Sequence, residues 1–344
     1  MKRWGFGLIG CGSVADFHMN AIREIEQARL VAISDRKEQR AKEIGAKEGC
    51  AWTTDYKELL ANPEVEIVCL TTSSGTHGSI GREVLLAGKH LVVEKPIAMT
   101  SREARELVRL ADEKGLTLSV ISQRRFEAQH QWVHQVLEEG KLGKLLLVQI
   151  DAPYYRTQQY YDSADWRGTI AEDGGALMNQ GIHSIDLMLW MGGKIRSVYG
   201  QIATQTHRME AEDLGLAIVK FENGAYGTIM ASTSIQPGFQ PSLYLYGERG
   251  SIQIEGTTIK HWTVEGVDRP GPVEAATSGG GVSDPKSISN LYHRLQLIDV
   301  IESLNTGRPV IVSGEDGLRS VELVEAIYKS SSLGKEIVRG EDWP

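Results

Sequence analysis

The chain has 344 residues, of which 41% are hydrophobic and 24% charged, and a net charge of −8. This composition excludes a mainly disordered chain, and the length indicates about two domains. Basic runs are absent from the sequence and no apolar run approaches the ~18 residues of a membrane helix, so we expect neither nucleic acid nor membrane as a partner.

Three scattered cysteines, Cys11, Cys50 and Cys69, form no CxxC pair. We expect buried thiols rather than disulfides or a thiolate zinc site. The N-terminus lacks a signal-peptide pattern, and we expect a cytoplasmic protein.

The first 122 residues alternate between short apolar runs and amphipathic helical patterns. The runs lie at 4–9, 30–34, 67–71, 91–93 and 116–122, and the helical patterns at 14–25, 37–48, 56–60, 79–87 and 102–114. Such alternation is typical of a parallel sheet with helices on both faces. We predict an α/β fold with a doubly wound Rossmann domain over residues 1–122.

Beyond residue 122 the pattern changes to strands in succession. Strands are predicted at 145–150, 198–206, 214–221, 226–232, 243–246 and 251–254, and helices at 175–191, 289–304 and 314–331. Strands joined without helices should be antiparallel. We predict an α+β domain over residues 123–344 with a large, mostly antiparallel open sheet, and a glycine-rich surface loop at 274–284.

A glycine-rich turn joins the first predicted strand to the first predicted helix. Gly10, Gly12 and Ala15 fit the pattern G-x-G-x-x-G/A. In a dinucleotide-binding turn, the first glycine permits the tight turn, the second lets the backbone approach a pyrophosphate, and the third position allows close packing of helix on strand. The alternative is a purely structural turn in another α/β protein.

The residues around this turn favour a nicotinamide dinucleotide as the ligand. The N–H groups of Ser13 and Val14 at the helix start can hold an anion. Asp35 ends the second predicted strand and can accept a hydrogen bond from a ribose 2′-OH, which favours NAD. The adjacent Arg36 could instead contact the 2′-phosphate of NADP.

A lysine follows the strand near residue 91, in the sequence Glu94-Lys95-Pro96. The carboxyl ends of the strands are where doubly wound sheets bind their ligands. A lysine there can donate or accept a proton in catalysis. The alternative is an ordinary surface loop that contains Lys-Pro.

The chain resembles the Gfo/Idh/MocA oxidoreductase family (glucose–fructose oxidoreductase, inositol dehydrogenase and relatives) over nearly its full length. The resemblance rests on the glycine-rich turn with His18 in the following helix, on 72–77, Gly88-Lys89-His90, Glu94-Lys95-Pro96, Trp166-Arg167-Gly168, the segment 174–186, Gly307-Arg308-Pro309 and 314–317. It implies an NAD(P)-dependent enzyme that transfers hydride between nicotinamide and a secondary hydroxyl or ketone of a sugar, cyclitol or sugar nucleotide. It also implies a homodimer or homotetramer assembled through the open sheet.

The resemblance implies Lys95 and His183 in the active site, and the types and positions of the other residues suggest the remaining contacts, with no metal expected. A surface salt bridge is the alternative role for Trp166-Arg167, and a subunit interface is the alternative for the tyrosine-rich loop at 154–161. The catalytic residues are Lys95, His183 and Asn179. Cofactor contacts are expected from Gly10, Gly12, Ser13, Val14, Asp35, Arg36, Thr72, Ser73, His77, Glu94, Lys95, Gln123, Trp166 and Arg167. Substrate contacts are expected from Lys95, Tyr155, Arg156, Asn179 and His183, and a further contact is suggested near Tyr292 and His293.

Asn179, His183 and Asp186 are spaced to share one face of a predicted helix. The family often has Asp where this chain has Asn179, and an amide cannot act as a general base. Proton transfer is therefore expected from His183 or Lys95, with Asn179 orienting the substrate hydroxyl and Asp186 orienting His183 or a nearby backbone group. The alternative is a helix whose histidine is merely hydrogen-bonded.

Two other functions are compatible with this sequence. One is a non-catalytic regulator that senses cofactor and sugar on the same fold. The other is an enzyme, such as a glycosidase or an epimerase, that uses NAD only transiently.

Overall fold

A computed structural model of the chain describes residues 2–271 and 290–344. The chain forms two compact units, one of Met1–Gln123 with Ser289–Leu318 and one of Arg124–Ile288 with Arg319–Pro344. The division into domains 1–122 and 123–344 stays a prediction, and the predicted loop at 274–284 lies outside the described residues. In the described ranges, every helix is too short or too polar to pass through a lipid bilayer.

The first unit contains a six-stranded, fully parallel sheet, as the sequence predicts. Its strands are β1 (Trp4–Ile9), β2 (Ala28–Ser34), β3 (Ala51–Thr53), β4 (Ile67–Leu70), β5 (His90–Val93) and β6 (Leu118–Val120), in the order β3-β2-β1-β4-β5-β6. The sequence pattern missed only β3, a short edge strand whose side chains are largely exposed. The strand order reverses between β1 and β4, where doubly wound sheets bind ligands.

The first and the last helix of the first unit share an apolar core with its sheet. The helices of this unit are α1 (Ala15–Glu24), α2 (Glu38–Glu48), α3 (Tyr56–Ala61), α4 (His77–Leu86), α5 (Ser101–Lys114) and the later helix α9 (Leu291–Thr306). Leu297, Val300 and Ile301 of α9 are buried in the same cluster as Phe6 of β1 and Met19 of α1. This burial explains why a segment so late in the chain belongs to the first unit.

The second unit is built on an eight-stranded sheet. Its strands are β7 (Leu145–Pro153), β8 (Ile195–Ala203), β9 (Leu214–Phe221), β10 (Tyr226–Ser232), β11 (Ser242–Gly247), β12 (Gly250–Glu255), β13 (Thr258–Val264) and β14 (Ile337–Val338), in the order β13-β12-β11-β7-β10-β9-β8-β14. The helices are α6 (Ala128–Glu138), α7 (Gln158–Asp162), a π-helix (Ala176–Gly181), α8 (Ile182–Gly192) and the long α10 (Gly314–Leu333), which begins in the last residues of the first unit.

The sheet is mostly antiparallel, as predicted, and one pair of its described strands is parallel. β7 and β10 lie side by side in parallel. The long connection after β7 contains α7, the π-helix and α8, so the chain can return in the same direction. Residues alternate between buried and exposed along β9, which leaves one face of the sheet open.

All three cysteines are free thiols. Cys11 and Cys69 are buried as expected, whereas Cys50 is only half-buried because it lies between α2 and the edge strand β3.

Candidate active site

The glycine-rich turn between β1 and α1 packs tightly on one side and is open on the other. Gly10 has φ +95°, and a Cβ there would lie 2.7 Å from Thr72 Cγ2 and 2.8 Å from the Thr72 backbone nitrogen. Only glycine satisfies both constraints. A Cβ at Gly12 would meet no atom of the described residues within 4 Å. The turn therefore keeps space for a ligand beside Gly12.

The carboxylate of Asp35, at the end of β2, reaches this turn. Its Oδ2 accepts a hydrogen bond from the backbone N–H of Cys11 at 2.9 Å, and its Oδ1 accepts one from the N–H of Lys37 at 2.8 Å. The Arg40 guanidinium lies 3.8 Å from Oδ2, and Arg36 is exposed. The carboxylate of Asp35 thus lies beside the glycine-rich turn, and the side chains of Arg36 and Arg40 lie farther from the turn.

The loop after β4 is held by hydroxyl groups and by a buried histidine. The Thr76 hydroxyl lies 2.7 Å from both the Thr72 hydroxyl and the Ser73 carbonyl oxygen. The His77 ring lies between two carbonyl oxygens, with Nε2 3.2 Å from that of Thr72 and Nδ1 2.7 Å from that of Pro96. Burial lowers the pKa of His77, whereas the two carbonyl oxygens act in the opposite direction. The ring links the two loops.

The predicted catalytic lysine follows β5. Glu94 is buried and Lys95 is half-exposed. Because β1, β4 and β5 are adjacent parallel strands, Gly10, Thr72 and Lys95 lie at the carboxyl ends of neighbouring strands. Gln123, just after β6, is also buried, and its Oε1 has no hydrogen-bond partner among the described residues. The predicted cofactor residues of this unit therefore gather at one edge of the sheet.

In the second unit, Arg156 joins the loop after β7 to the π-helix. Its guanidinium donates hydrogen bonds of 2.9 Å to the Tyr155 carbonyl oxygen and to Gln180 Oε1. The guanidinium carbon also lies 5.6 Å from the centre of the Tyr160 ring. Arg156 is thus a buried cation fixed beside an aromatic side chain.

A second guanidinium contacts the same tyrosine. The Arg167 guanidinium carbon lies 4.1 Å from the centre of the Tyr160 ring and 4.6 Å from that of Trp166. Its Nε is buried without a hydrogen-bond partner in the described ranges. The predicted residues Arg156, Trp166 and Arg167 therefore form one cluster around Tyr160.

Asn179 and His183 do not belong to one regular α-helix. Asn179 lies in the π-helix, whereas His183 is in the first turn of α8. Because a π-helix has more residues per turn than an α-helix, the i, i+4 spacing of Asn179 and His183 does not by itself place them on one helical face. The Asn179 amide donates to Asp173 Oδ1, and Asp173 Oδ2 accepts from the Gly168 N–H at 2.7 Å. Asp173 thus connects the Trp166–Gly168 turn to Asn179.

Asp186 is buried and forms a bidentate pair with Arg125. Arg125 Nε donates to one carboxylate oxygen at 2.8 Å and Arg125 Nη2 donates to the other at 2.6 Å. This geometry anchors α8 to the segment before α6. The orientation of His183 by Asp186 stays a prediction.

Glu212 holds the beginning of the π-helix. Its Oε1 accepts hydrogen bonds from the Leu177 N–H at 2.8 Å and the Tyr328 hydroxyl at 3.1 Å. Burial raises the pKa of Glu212 to about 7, against the lowering effect of these hydrogen bonds. A Cβ at Gly175 would lie 2.1 Å from Glu212 Oε2, so the glycine is required by this close approach.

Comparison with known proteins identifies the family of this chain. Residues 4–122 match the model of an oxidoreductase family with an NAD-binding Rossmann fold, and residues 130–253 match the GFO/IDH/MocA C-terminal domain. The chain belongs to the Gfo/Idh/MocA family. It is an oxidoreductase with an NAD-binding Rossmann domain, as the resemblance in its sequence implies.

The curated relatives of this oxidoreductase include two inositol dehydrogenases. Myo-inositol 2-dehydrogenase of Thermotoga maritima is 26% identical, over 94% of this chain and 95% of the relative. The scyllo-inositol 2-dehydrogenase (NADP(+)) IolW of Bacillus subtilis is 27% identical, over 83% of this chain and 82% of the relative.

Two similar crystal structures are WlbA dehydrogenases in complex with NADH and UDP-GlcNAcA. The Bordetella pertussis protein is 32% identical with a TM-score of 0.87, and the match covers 99% of this chain and 100% of that one. The Chromobacterium violaceum protein is 30% identical with a TM-score of 0.88, and the match covers 100% of this chain and 98% of that one.

The first unit of the oxidoreductase fits the cofactor that its family implies. The space beside Gly12 suits a pyrophosphate, and Val14, the N-cap of α1, makes no side-chain capping hydrogen bond. Asp35 lies beside the turn at the end of β2, hydrogen-bonded to the Cys11 N–H. The Oε1 atom of Gln123 is buried without a hydrogen-bond donor among the described residues, so it could accept a hydrogen bond from a ligand.

The predicted site residues of each unit thus gather within that unit, and their roles stay predictions. Sequence reasoning missed Asp173 and Glu212, which stand outside any motif. A signal existed for Glu212, since a glycine pair at 174–175 indicates a close approach by another group. The sequence suggested a substrate contact at Tyr292 and His293, and the structure buries both side chains.

Proposed function

We propose that this oxidoreductase is an NAD-dependent dehydrogenase that oxidises a secondary hydroxyl of an acidic sugar nucleotide, or reduces the corresponding ketone. The observation that carries the proposal is the gathering of Gly10, Thr72 and Lys95 at the ends of adjacent strands. This edge combines a pyrophosphate turn with a side chain able to transfer a proton.

The cofactor is held by the first unit in this proposal. Gly12, Ser13 and Val14 bind the pyrophosphate, and Asp35 binds the ribose hydroxyls and favours NAD over NADP. Further contacts come from other predicted residues of the first unit, namely Thr72, Ser73, His77, Glu94 and Gln123. When bound, NAD accepts or returns the hydride.

The protein side chains then manage the proton and orient the substrate. The Lys95 ammonium stabilises the charge that develops on the substrate oxygen. During oxidation the hydroxyl proton goes to His183, or to Lys95 where the lysine starts as the neutral amine, because the amide of Asn179 cannot accept it. The hydrogen bond to Asp173 holds the Asn179 amide in one rotamer, so Asn179 is positioned to orient the hydroxyl.

Two arginines support an acidic substrate. Arg156 and Arg167 both contact Tyr160, and the Arg167 Nε lacks a partner among the described residues. Guanidinium groups bind carboxylates and phosphates through paired hydrogen bonds. The WlbA relatives bind UDP-GlcNAcA, which carries both groups, and we extend that substrate class to this chain.

The test is the formation of NADH when purified protein meets NAD and single candidate substrates. We expect turnover with UDP-GlcNAcA, much slower turnover with UDP-GlcNAc, which lacks the carboxylate, and little with myo-inositol or glucose. NADP in place of NAD is expected to be the poorer oxidant. If NAD raises the melting temperature but no substrate yields NADH, the protein is a sensor or a transient user of NAD, and the proposal fails.

We also propose that the enzyme works in the cytoplasm as a homodimer or homotetramer. Three free thiols support the location. The open face of the large sheet supports the assembly, since Tyr199, Leu216, Ile218 and Tyr226 are 42–56% exposed on neighbouring strands. Sedimentation should find a dimer or tetramer that Ile218→Asp dissociates, and a monomeric wild type would contradict this.

A further inference from the structure

Glu94 is a buried carboxylate held by two histidines. Its Oε1 lies 2.9 Å from His18 Nε2 and 3.8 Å from His293 Nε2. The three residues are at most 7% exposed. They come from α1, the end of β5 and α9, so elements from three parts of the first unit meet at one carboxylate.

The other oxygen of this carboxylate faces the predicted catalytic residue. Glu94 Oε2 accepts a hydrogen bond from the backbone N–H of Lys95 at 3.2 Å. On the far side of Lys95, the carbonyl oxygen of Pro96 lies 2.7 Å from His77 Nδ1. The half-exposed lysine is therefore flanked by two buried residues, each held by histidine.

The carboxylate of this cluster is ionised. Burial would raise the pKa of Glu94, but its contacts with His18 and His293 hold it well below its usual range. Burial lowers the pKa of His18. An ionised buried carboxylate needs several hydrogen-bond donors. His18 at 2.9 Å and the Lys95 N–H at 3.2 Å are within hydrogen-bond distance of Glu94, and His293 Nε2 lies next to them at 3.8 Å.

The same three residues could ligate a metal ion, since their ligand atoms lie within 4.8 Å of one another. A metal-bound histidine almost always donates its second ring N–H to an acceptor. The Nδ1 atoms of His18 and His293 are buried without a hydrogen-bond partner among residues 2–271 and 290–344. This arrangement favours Nε2–H groups directed at Glu94 over Nε2–metal bonds.

We propose that His18 and His293 are positioning residues that fix Lys95 through Glu94. This proposal rests on the role of Lys95 in the proposed function. The His293 ring is itself fixed, because it stacks on Phe17 with 5.3 Å between ring centres and 15° between planes. Helix α9, far along the chain from β5, thereby takes part in aligning the active-site lysine.

The decisive comparison is between His293→Gln, which keeps an N–H donor near the Nε2 position, and His293→Leu, which removes it. We expect His293→Leu to lower kcat about 10- to 100-fold, as misplacement of a reacting group by about 1 Å can. His293→Gln should stay within about threefold of wild type, and NAD affinity should be unchanged in both. Equal kcat losses in the two variants would overturn the proposal.

A neighbouring residue of α9 provides the matched control. Arg294 forms an ion pair with Glu24 on the surface of α1 and does not touch the cluster through that pair. Arg294→Ala should retain wild-type kcat while weakening the same helix contact. If Arg294→Ala lowers kcat as much as His293→Leu, general loosening of α9 is the cause and the proposal fails.

Nitrogen NMR of the histidine rings separates this proposal from the proposed function. We expect His18 to be neutral with its proton on Nε2, whether or not any substrate is turned over. Absence of NADH from wild-type protein would overturn the function and leave this signature in place. A stoichiometric metal bound through Nε2, detected by elemental analysis and lost in His293→Leu, would overturn the positioning role.

Discussion

Glu212 Oε1 accepts a hydrogen bond from the backbone N–H of Leu177 at 2.8 Å, so a buried acid just before β9 holds the second residue of the π-helix. The same segment carries Asn179 and leads into His183. The positions of two predicted catalytic residues therefore depend on a group that takes no part in the proposed chemistry.

The raised pKa of Glu212 makes the stability of the protein depend on pH. The unfolded carboxyl loses its proton near pH 4.5 and the folded one near pH 7. The stability that this group contributes is thus fully present below pH 4.5 and is lost as the pH rises to about 7, by about 3 kcal/mol at most. Glu212→Gln should therefore be more stable than wild type at pH 8 and similar to it at pH 5.

Urea denaturation at the two pH values measures this difference. Glu210→Gln, which changes an exposed carboxylate two residues away, is the matched control and should show no such change between pH 5 and 8. A stability difference between Glu212→Gln and wild type that is the same at both pH values would contradict the prediction.

Gly175→Ala should destabilise the second unit and reduce turnover. The new Cβ would lie 2.1 Å from Glu212 Oε2 and 2.3 Å from the Glu212 backbone oxygen, and the backbone cannot yield as a side chain can. Overpacking of this kind costs about 1–3 kcal/mol. Thermal unfolding and kcat should fall together, and unchanged values of both would show that the segment relaxes freely.

The two glycines of the first turn should respond in opposite ways to alanine. Gly12→Ala should leave the stability of the cofactor-free protein unchanged, because the added Cβ meets open space, but it should weaken NAD binding. Gly10→Ala should lower the stability itself, since φ is +95° and Thr72 is 2.7 Å away. Melting temperatures with and without NAD distinguish the cases, and a stable Gly12→Ala protein with normal NAD affinity would be evidence against the assigned pyrophosphate site.

Asp35→Ser should shift the cofactor preference toward NADP. The carboxylate would repel a 2′-phosphate, and the serine would remove that charge while Arg40 and Arg36 remain. We expect the ratio of kcat/KM for NAD to that for NADP to fall by about tenfold, which corresponds to about 1.4 kcal/mol. An unchanged ratio would mean that Asp35 does not contact the adenosine ribose.

Much of the fold could be predicted from local patterns. The bounds of β1, β9 and β10 are those that the sequence predicted, because each strand has a distinct apolar run or alternation. The segment of the π-helix was predicted as part of an α-helix. A stretch of six residues is too short for its sequence pattern to distinguish a π-helix from an α-helix. The parallel pairing of β7 with β10 depends on the path of a long connection, which no local pattern records.

The placement of Gly10 and Lys95 at the ends of strands could be predicted, because each belongs to a local motif, and their roles stay predictions. The site was not predictable where the partner lies far along the chain. Asp173 and Glu212 are ordinary acids in the sequence, and only folding places them beside Asn179 and Leu177. His293 lies 199 positions from Glu94 in the sequence, and only the packing of α9 brings the two side chains together.

Lys95→Met tests the central claim most directly, through NADH formation from NAD and UDP-GlcNAcA beside the wild-type protein. Methionine retains the apolar stem and removes the amine. We expect kcat to fall at least 100-fold (about 3 kcal/mol), while the affinity for NAD, measured by calorimetry on the same preparations, stays within about twofold. Wild-type turnover by Lys95→Met would contradict the account, because no other group at this edge of the sheet is proposed to replace the lysine.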